Sequence, residues 1–334
     1  MTLLRNRTIN RSVLNGLKDG SVRRRIDAHH HLWQLGCFPY AWLAPGSPPR
    51  PFGDHTALKK DYLIADYAHD MAAIGVVASV FVEASAGGLG ASELEWVDAV
   101  AGDRSLPAVS VGYADLRRPD IGGVLSVFQR SPRMRGIRMS LAWDGRPWWR
   151  FVESPDVMLA PEFLHGLSEL TRRELAFDTL VVPRQLSQLA SVARANPELQ
   201  IVINHLGTPL RETVEDIAQW TEGMRDCAKC ANMSIKLSGL WVLDRGWAPE
   251  HIAAPVRMVI DLFGPHRCMW ATNYPVEKLM CPVADQIRNL DAVLVDLSED
   301  EKDTIFRRTA ARIYRIPLPD ETISVDGSRR TVAD

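Results

Sequence analysis

Cysteine is scarce. Cys37, Cys227, Cys230, Cys268 and Cys281 are the only five in 334 residues, too few and too scattered for a disulfide framework, so a reducing, cytoplasmic setting is expected. Cys227 and Cys230 form a C-x-x-C, but no second pair or nearby histidine completes a zinc site, and they read as ordinary helix cysteines. An excess of either charge is also lacking. The 39 Lys+Arg against 41 Asp+Glu leave a formal net charge of −2, which argues against a nucleic-acid or anionic-membrane partner. No apolar run approaches a membrane span of about 18–20 residues, and the N-terminus lacks a signal-type apolar stretch. There is no G-x-S-x-G elbow for a nucleophilic serine and no phosphate-binding loop, and Gly87, Gly88 and Gly90 miss the G-x-G-x-x-G spacing of a dinucleotide fold. A soluble protein acting on a small molecule is the class left standing.

Residues 1–25 carry Arg5, Arg7, Arg11, Lys18, Arg23, Arg24 and Arg25 against the single acid Asp19. They are read as an extension outside the fold, a mobile arm or a homodimer contact. Residues 26–315 are read as one domain and 316–334 as a tail. Within the domain, short β-rich segments alternate with amphipathic helical patterns. Eight strands are predicted, at 25–28, 77–83, 108–113, 136–140, 175–180, 200–204, 233–237 and 268–272. Pro161 marks a helix first turn before Phe163, Leu164, Leu167 and Leu170, and Ser298 with Glu301 forms a capping box opening the last helix. Eight strands alternating with helices predict a (β/α)₈ barrel, with a doubly wound open sheet as the alternative. The Pro-rich segment from Trp33 to about Asp61 is too long for a connector and is placed over the mouth of the site.

In such a barrel the chemistry sits at the C-terminal strand ends. Strand by strand these ends deliver Asp27-Ala28-His29-His30-His31, Glu83, Arg138, Asp178, Asn204-His205, Lys236 with Ser238, and Asn273. Period-two alternation sends His29 and His31 to one side of the first strand, toward the axis, and His30 to the other. Two inward imidazoles can share a metal or bind a substrate oxyanion. Glu83 is a candidate base or a structural partner of Arg138. Lys236 either orients a substrate carboxylate or pairs with Asp178. Trp33, Trp143, Trp241 and Tyr274, on or just past strand ends, are expected to line an apolar cleft with Asp178 and Lys236.

Four motifs carry a family resemblance. Asp27-Ala28-His29-His30-His31-Leu32-Trp33, Asn204-His205-Leu206-Gly207-Thr208-Pro209, Lys236-Leu237-Ser238-Gly239-Leu240 and Trp270-Ala271-Thr272-Asn273-Tyr274-Pro275-Val276 resemble, in this order, the amidohydrolase superfamily. The similarity extends from about Arg25 to Tyr314 and is greatest to the lactonase branch that includes L-fuconolactonase, L-rhamnonolactonase, sulfomuconolactone hydrolase and 2-pyrone-4,6-dicarboxylate lactonase. The resemblance implies a distorted (β/α)₈ barrel with active-site positions at His29, His31, His205 and 273.

The chain departs from the family pattern at one of these positions. Members commonly carry an Asp where Asn273 stands, an Asp that ligates metal and takes the proton of the attacking water. An amide can do neither well near neutral pH. Two routes are therefore open. In the favoured one no cofactor is bound, and the histidines with Arg138 polarise a lactone carbonyl. In the other, His29, His31 and His205 hold Zn²⁺ or another divalent metal with an open position for water. The expected reaction is hydrolysis of a hydrophobic or aromatic lactone. The alternatives are a metal-dependent decarboxylase of an aromatic or unsaturated acid, and a barrel repurposed for ring closure, isomerisation or binding.

Overall fold

The computed structural model describes residues 22–103 and 105–318. The predicted tail beyond them, and the predicted extension before residue 22, lie outside the described residues. Eight parallel strands run in sequence order around one sheet: β1 Arg25–His30, β2 Val76–Val82, β3 Val109–Gly112, β4 Met134–Arg138, β5 Ala176–Thr179, β6 Ile201–Ile203, β7 Met233–Leu237 and β8 Cys268–Trp270. Each is followed by a helix: α1 Ile64–Met71, α2 Gly90–Ala101, α3 Ile121–Phe128, α4 Pro161–Arg172, α5 Leu186–Ala195, α6 Val214–Ala228, α7 Pro249–Phe263 and α8 Val283–Val293. This is the (β/α)₈ barrel, and the open-sheet alternative is set aside. Among the described residues no helix is long and apolar enough to cross a membrane.

The barrel is drawn shut between β1 and β8 by His31 N–H donating to Tyr274 O at 2.7 Å and Asn273 N–H to His29 O at 2.8 Å. The buried Asp27 carboxylate reinforces the seam. It accepts from Thr272 N at 2.8 Å, Thr272 Oγ1 at 2.6 Å and Tyr67 Oη at 2.8 Å. Burial nevertheless pushes its pKa up to about 6, against the pull of those donors.

Ile26, Ala28, Val80, Val111, Val202 and Met269 fill the barrel interior. The last helical stretch, opened as predicted by the Ser298 and Glu301 capping box, continues through a wide turn at Thr304–Arg308 into α9, Thr309–Tyr314. Its Ala310, Ile313 and Tyr314 join the same interior cluster, so the chain plugs its own barrel opposite the catalytic mouth.

Two sequence expectations are corrected here. Arg23 and Arg25, counted with the extension, pack on the fold, Arg25 as the first residue of β1, where the predicted strand also starts. Arg25 opens β1, is buried and donates to Ile74 O at 2.8 Å, while Arg23 pairs with Glu299 at 2.5 Å. The first strand also extends to His30, and a register irregularity in its pairing with β2 falls between Asp27 and His30. Ala28 and His29 consequently both serve the interior, which strict alternation would forbid.

Candidate active site

His29, at the end of β1, is fully buried at the barrel axis. Its Nδ1 lies 3.3 Å from Lys236 Nζ and 3.0 Å from Asn204 Oδ1. Its Nε2 lies 3.2 Å from His31 Nε2. His31 Nδ1 faces two carbonyls, Val82 O at 2.8 Å and Glu83 O at 3.0 Å, so it must carry a hydrogen there. Its Nε2 is therefore the acceptor nitrogen of that ring, and it faces His29 Nε2, which also lies 3.4 Å from the donor-only Arg138 guanidinium.

All these imidazoles are neutral. Burial, then the nearby Lys236 charge, holds His29 well below its ordinary pKa. Burial and Arg138 take His31 down to about 3. His205, lying 4.8 Å ring to ring from His29, is lowered by burial, Arg138 and Lys236. Its Nδ1 is hydrogen-bonded to Ser238 Oγ at 3.0 Å, and Nε2 has no hydrogen-bond partner among the described residues. Gly239, at φ +66°, lets the chain after β7 pass over this ring: a Cβ there would stand 2.4 Å from His205 Cβ.

Above this cluster opens a cavity of about 120 Å³. Its polar floor is His31, Arg138, His205, Thr208 and Asn273. Its walls are aromatic and come from three loops: Trp42 and Phe52 after β1, Trp149 and Phe151 after β4, Trp241 after β7. Trp149 and Trp241 lie parallel, 6.4 Å apart, and Phe52 meets Trp241 edge-on at 6.0 Å. Among the described residues no acidic side chain lines it. The profile of the Amidohydrolase family matches residues 26–316.

The chain belongs to the amidohydrolase family. An uncharacterized protein of Sinorhizobium fredii is 34% identical over 293 residues, 87% of this chain and 98% of that protein. The L-fucono-1,5-lactonase of Burkholderia ambifaria is 30% identical over 305 residues, covering 88% and 97%. An amidohydrolase crystal structure from Burkholderia multivorans with bound zinc superposes with a TM-score of 0.73 at 28% identity, over 88% of this chain and all of that one.

Within this amidohydrolase the residues present do not fit a dication well. Arg138 Nη1 lies 3.4 Å from His29 Nε2, setting a fixed positive charge beside the place where a cation between the imidazoles would sit. The fourth position is the amide of Asn273. Among the described residues no group of three or more His, Cys, Asp or Glu side chains is arranged to hold a metal ion.

Not every residue singled out in the sequence reaches the cavity. Glu83 does not line it. Its Oε1 pairs with Arg138 at 2.5 Å and its Oε2 accepts from Ser85 N at 2.5 Å, so it orients the guanidinium. Asp178 and Lys236 lie beneath the histidines with no exposed surface, 2.6 Å apart, and Tyr314 Oη donates to Asp178 at 2.8 Å. Contact with substrate is corrected for both: the pair is sealed inside the barrel. The same correction applies to three aromatics. Trp33 is buried, donating to Lys60 O at 2.7 Å. Tyr274 is buried with its Oη on Cys281 O. Trp143 stands outside the cavity between the guanidinium groups of Arg150 and Arg184. Trp241 is in place on the wall.

The sequence reading passed over Glu277. Fully buried, it accepts from Trp247 Nε1 at 2.6 Å, Gly239 N at 3.0 Å and Trp241 N at 3.1 Å, and lies 3.5 Å from Asn273 Nδ2. Burial raises its pKa to about 7 despite these donors. It ties the β7 and β8 loops together and aims the Asn273 amide. Its position four residues after Asn273 was the one available signal. Arg50, in the Pro-rich segment, was missed with no local motif to betray it.

Proposed function

We propose that this amidohydrolase opens a lactone with an apolar, aromatic or unsaturated ring, without a bound metal. One observation carries the reading: neutral His205, its Nδ1 held by Ser238, faces Arg138 across a small cavity walled by aromatic rings. A water between them attacks the lactone carbonyl carbon and gives its proton to His205 Nε2. The carbonyl oxygen becomes an oxyanion beside Arg138 and the Asn273 amide, donors already fixed by Glu83 and Glu277. Collapse breaks the bond from the acyl carbon to the ring oxygen. The His205 imidazolium returns its proton to that oxygen, giving a hydroxy acid. The lowered pKa keeps His205 in its base form at neutral pH, and the aromatic walls receive the ring by stacking.

The test is hydrolysis of dihydrocoumarin set against a neutral sugar lactone, before and after treatment with a chelator. The aromatic lactone is expected to have the larger kcat/KM, unchanged by chelation, and His205→Gln is expected to lower kcat about 10²–10⁴-fold. No turnover of either lactone, or activity lost on chelation and restored by zinc, overturns the reading.

A further inference from the structure

A second cleft, of about 760 Å³, opens beside the catalytic cavity. The two share Ser85, Ser140 and Phe151 as lining residues. The Glu83–Arg138 ion pair stands between them, with Arg138 on the catalytic side and Glu83 on the other. A volume of that order is in the range of small-molecule sites, about 300–1,000 Å³. Hydrolysis of a bare ring lactone leaves it unused. The cleft is formed where the loops after β2, β3 and β4 meet α3. Two glycines let these elements approach: a Cβ on Gly90 would stand 2.6 Å from Tyr113 O, and one on Gly112 would stand 2.6 Å from Phe128 Cε1.

Its lining is apolar and electrically balanced. Ala91, Val124, Val127, Phe128, Met139 and Phe151 supply carbon surface. Every charged residue lining it is paired with an opposite charge. Arg117 pairs with Asp115 at 2.8 Å and with Glu153, Arg118 with Asp120 at 2.8 Å, and Glu83 with Arg138 at 2.5 Å. The remaining polar side chains, the hydroxyls of Ser85, Tyr113 and Ser140, are neutral. An ionised ligand group would lose its hydration there with no free counter-charge to replace it. Each methylene buried against these walls, in contrast, strengthens binding by up to about fourfold.

We infer that this cleft is a substrate subsite, one that takes a neutral hydrocarbon substituent of several carbons projecting from the ring in the catalytic cavity. Ser85, Ser140 and Phe151, common to both spaces, border the passage between them. The assignment deepens the lactone reading by naming what the ring carries: an uncharged apolar chain, selected by Val127, Phe128 and their neighbours. It rests on that reading only for the ester being opened, since recognition of the chain stands on the cleft alone.

The experiment measures binding without turnover, so its outcome is separate from that of the hydrolysis assay. Benzamide, its butyl derivatives and its carboxyethyl derivatives, each substituted meta or para, are titrated into the full chain by calorimetry at neutral pH. At least one butyl isomer is expected to bind about tenfold or more tightly than benzamide, and neither carboxyethyl isomer to gain. Val127→Trp narrows the cleft from α3 and Gly88→Leu from the loop after β2. Gly88 has no left-handed φ, and a Cβ there meets nothing within 4 Å, so that variant is accommodated without strain. Both variants are expected to remove most of the butyl gain while leaving benzamide binding unchanged, and Val127→Ala, which keeps the cleft open, to retain it. No gain in the wild-type chain, a gain that survives in both narrowed variants, or an equal gain from a carboxyethyl chain overturns the inference. Unaltered benzamide affinity and melting temperature in Gly88→Leu show that its lost gain comes from filled space and not from misfolding.

Discussion

At position 239 a single methyl group decides the geometry of the base. Gly239→Ala both forces an L-residue to φ +66° and drives its Cβ into His205. It is expected to destabilise the protein by about 1–3 kcal/mol and to lower kcat more than it raises KM, since the displaced ring is the proton acceptor. Unaltered kinetics in a stably folded variant would remove His205 from the mechanism. Asn273 occupies a left-handed conformation at φ +54°, which Asn and Asp tolerate better than other side chains. Asn273→Asp is therefore accommodated locally and adds the carboxylate that the histidines lack. It is expected to take up about one equivalent of zinc that survives dialysis, whereas the wild-type chain retains far less, as elemental analysis of both would show. Equal retention by the two chains would refute this account of position 273. His29, His31, His205, Arg138 and Asn273 were legible because each falls at or just past the end of a predicted strand, all but Arg138 within one of the four motifs. Glu277 and Arg50 were not, because nothing local marks a side chain whose partners come from other loops.

Among the elements, β1 shows how far a periodic pattern reaches. Alternation placed His29 and His31 inward and His30 outward, where it stacks on Tyr67 at 3.8 Å and bonds Ser79 Oγ at 3.0 Å. The irregularity before His30 is a feature of pairing with β2 and has no trace in the β1 sequence itself. Helix α9 contributes from the opposite end of the barrel. Tyr314→Phe removes the phenol that donates to the buried Asp178, and is expected to cost about 1.5–3 kcal/mol of stability. Chemical denaturation measures this directly, and a loss below about 0.5 kcal/mol would mean that Lys236 alone satisfies the carboxylate. The segment from Trp33 to Asp61, read from its prolines as a cover for the mouth, does supply Trp42, Arg50 and Phe52 to the cavity. Its most prominent tryptophan, Trp33, turns instead into the core.

For the whole molecule, the buried neutral histidines set the acid limit of stability. His29, His30, His31 and His205 all have pKa values lowered chiefly by burial, so the unfolded chain binds more protons than the folded one below about pH 6.5. Their contribution is complete above that value and is lost as pH falls toward about 3, the pKa of His31. Asp27, Glu277 and Glu93, raised to about 6, about 7 and about 8, act in the opposite sense: their contribution is present at low pH and is lost as pH rises through those values. With four groups against three, the melting temperature is expected to fall from pH 7 to pH 4.5. A calorimetric profile that is flat or rising over that interval would contradict the neutral, buried state of the imidazoles.

The sequence by itself determined the architecture and the family, because strand and helix periods, caps and strand-end motifs are local and repeat eight times along the chain. It also determined which side chains approach the barrel axis, since strand-end position fixes that without knowledge of neighbours. Only the tertiary structure decided which of them face the cavity. It sealed Lys236 and Asp178 inside against Tyr314, bound Glu83 to Arg138, sent Trp33 and Tyr274 into the core, and left Arg50 at the rim without an acid partner. Those outcomes depend on distances between residues as much as 136 positions apart in the chain. Exposure and charge pairing are properties of such distances and not of sequence spacing.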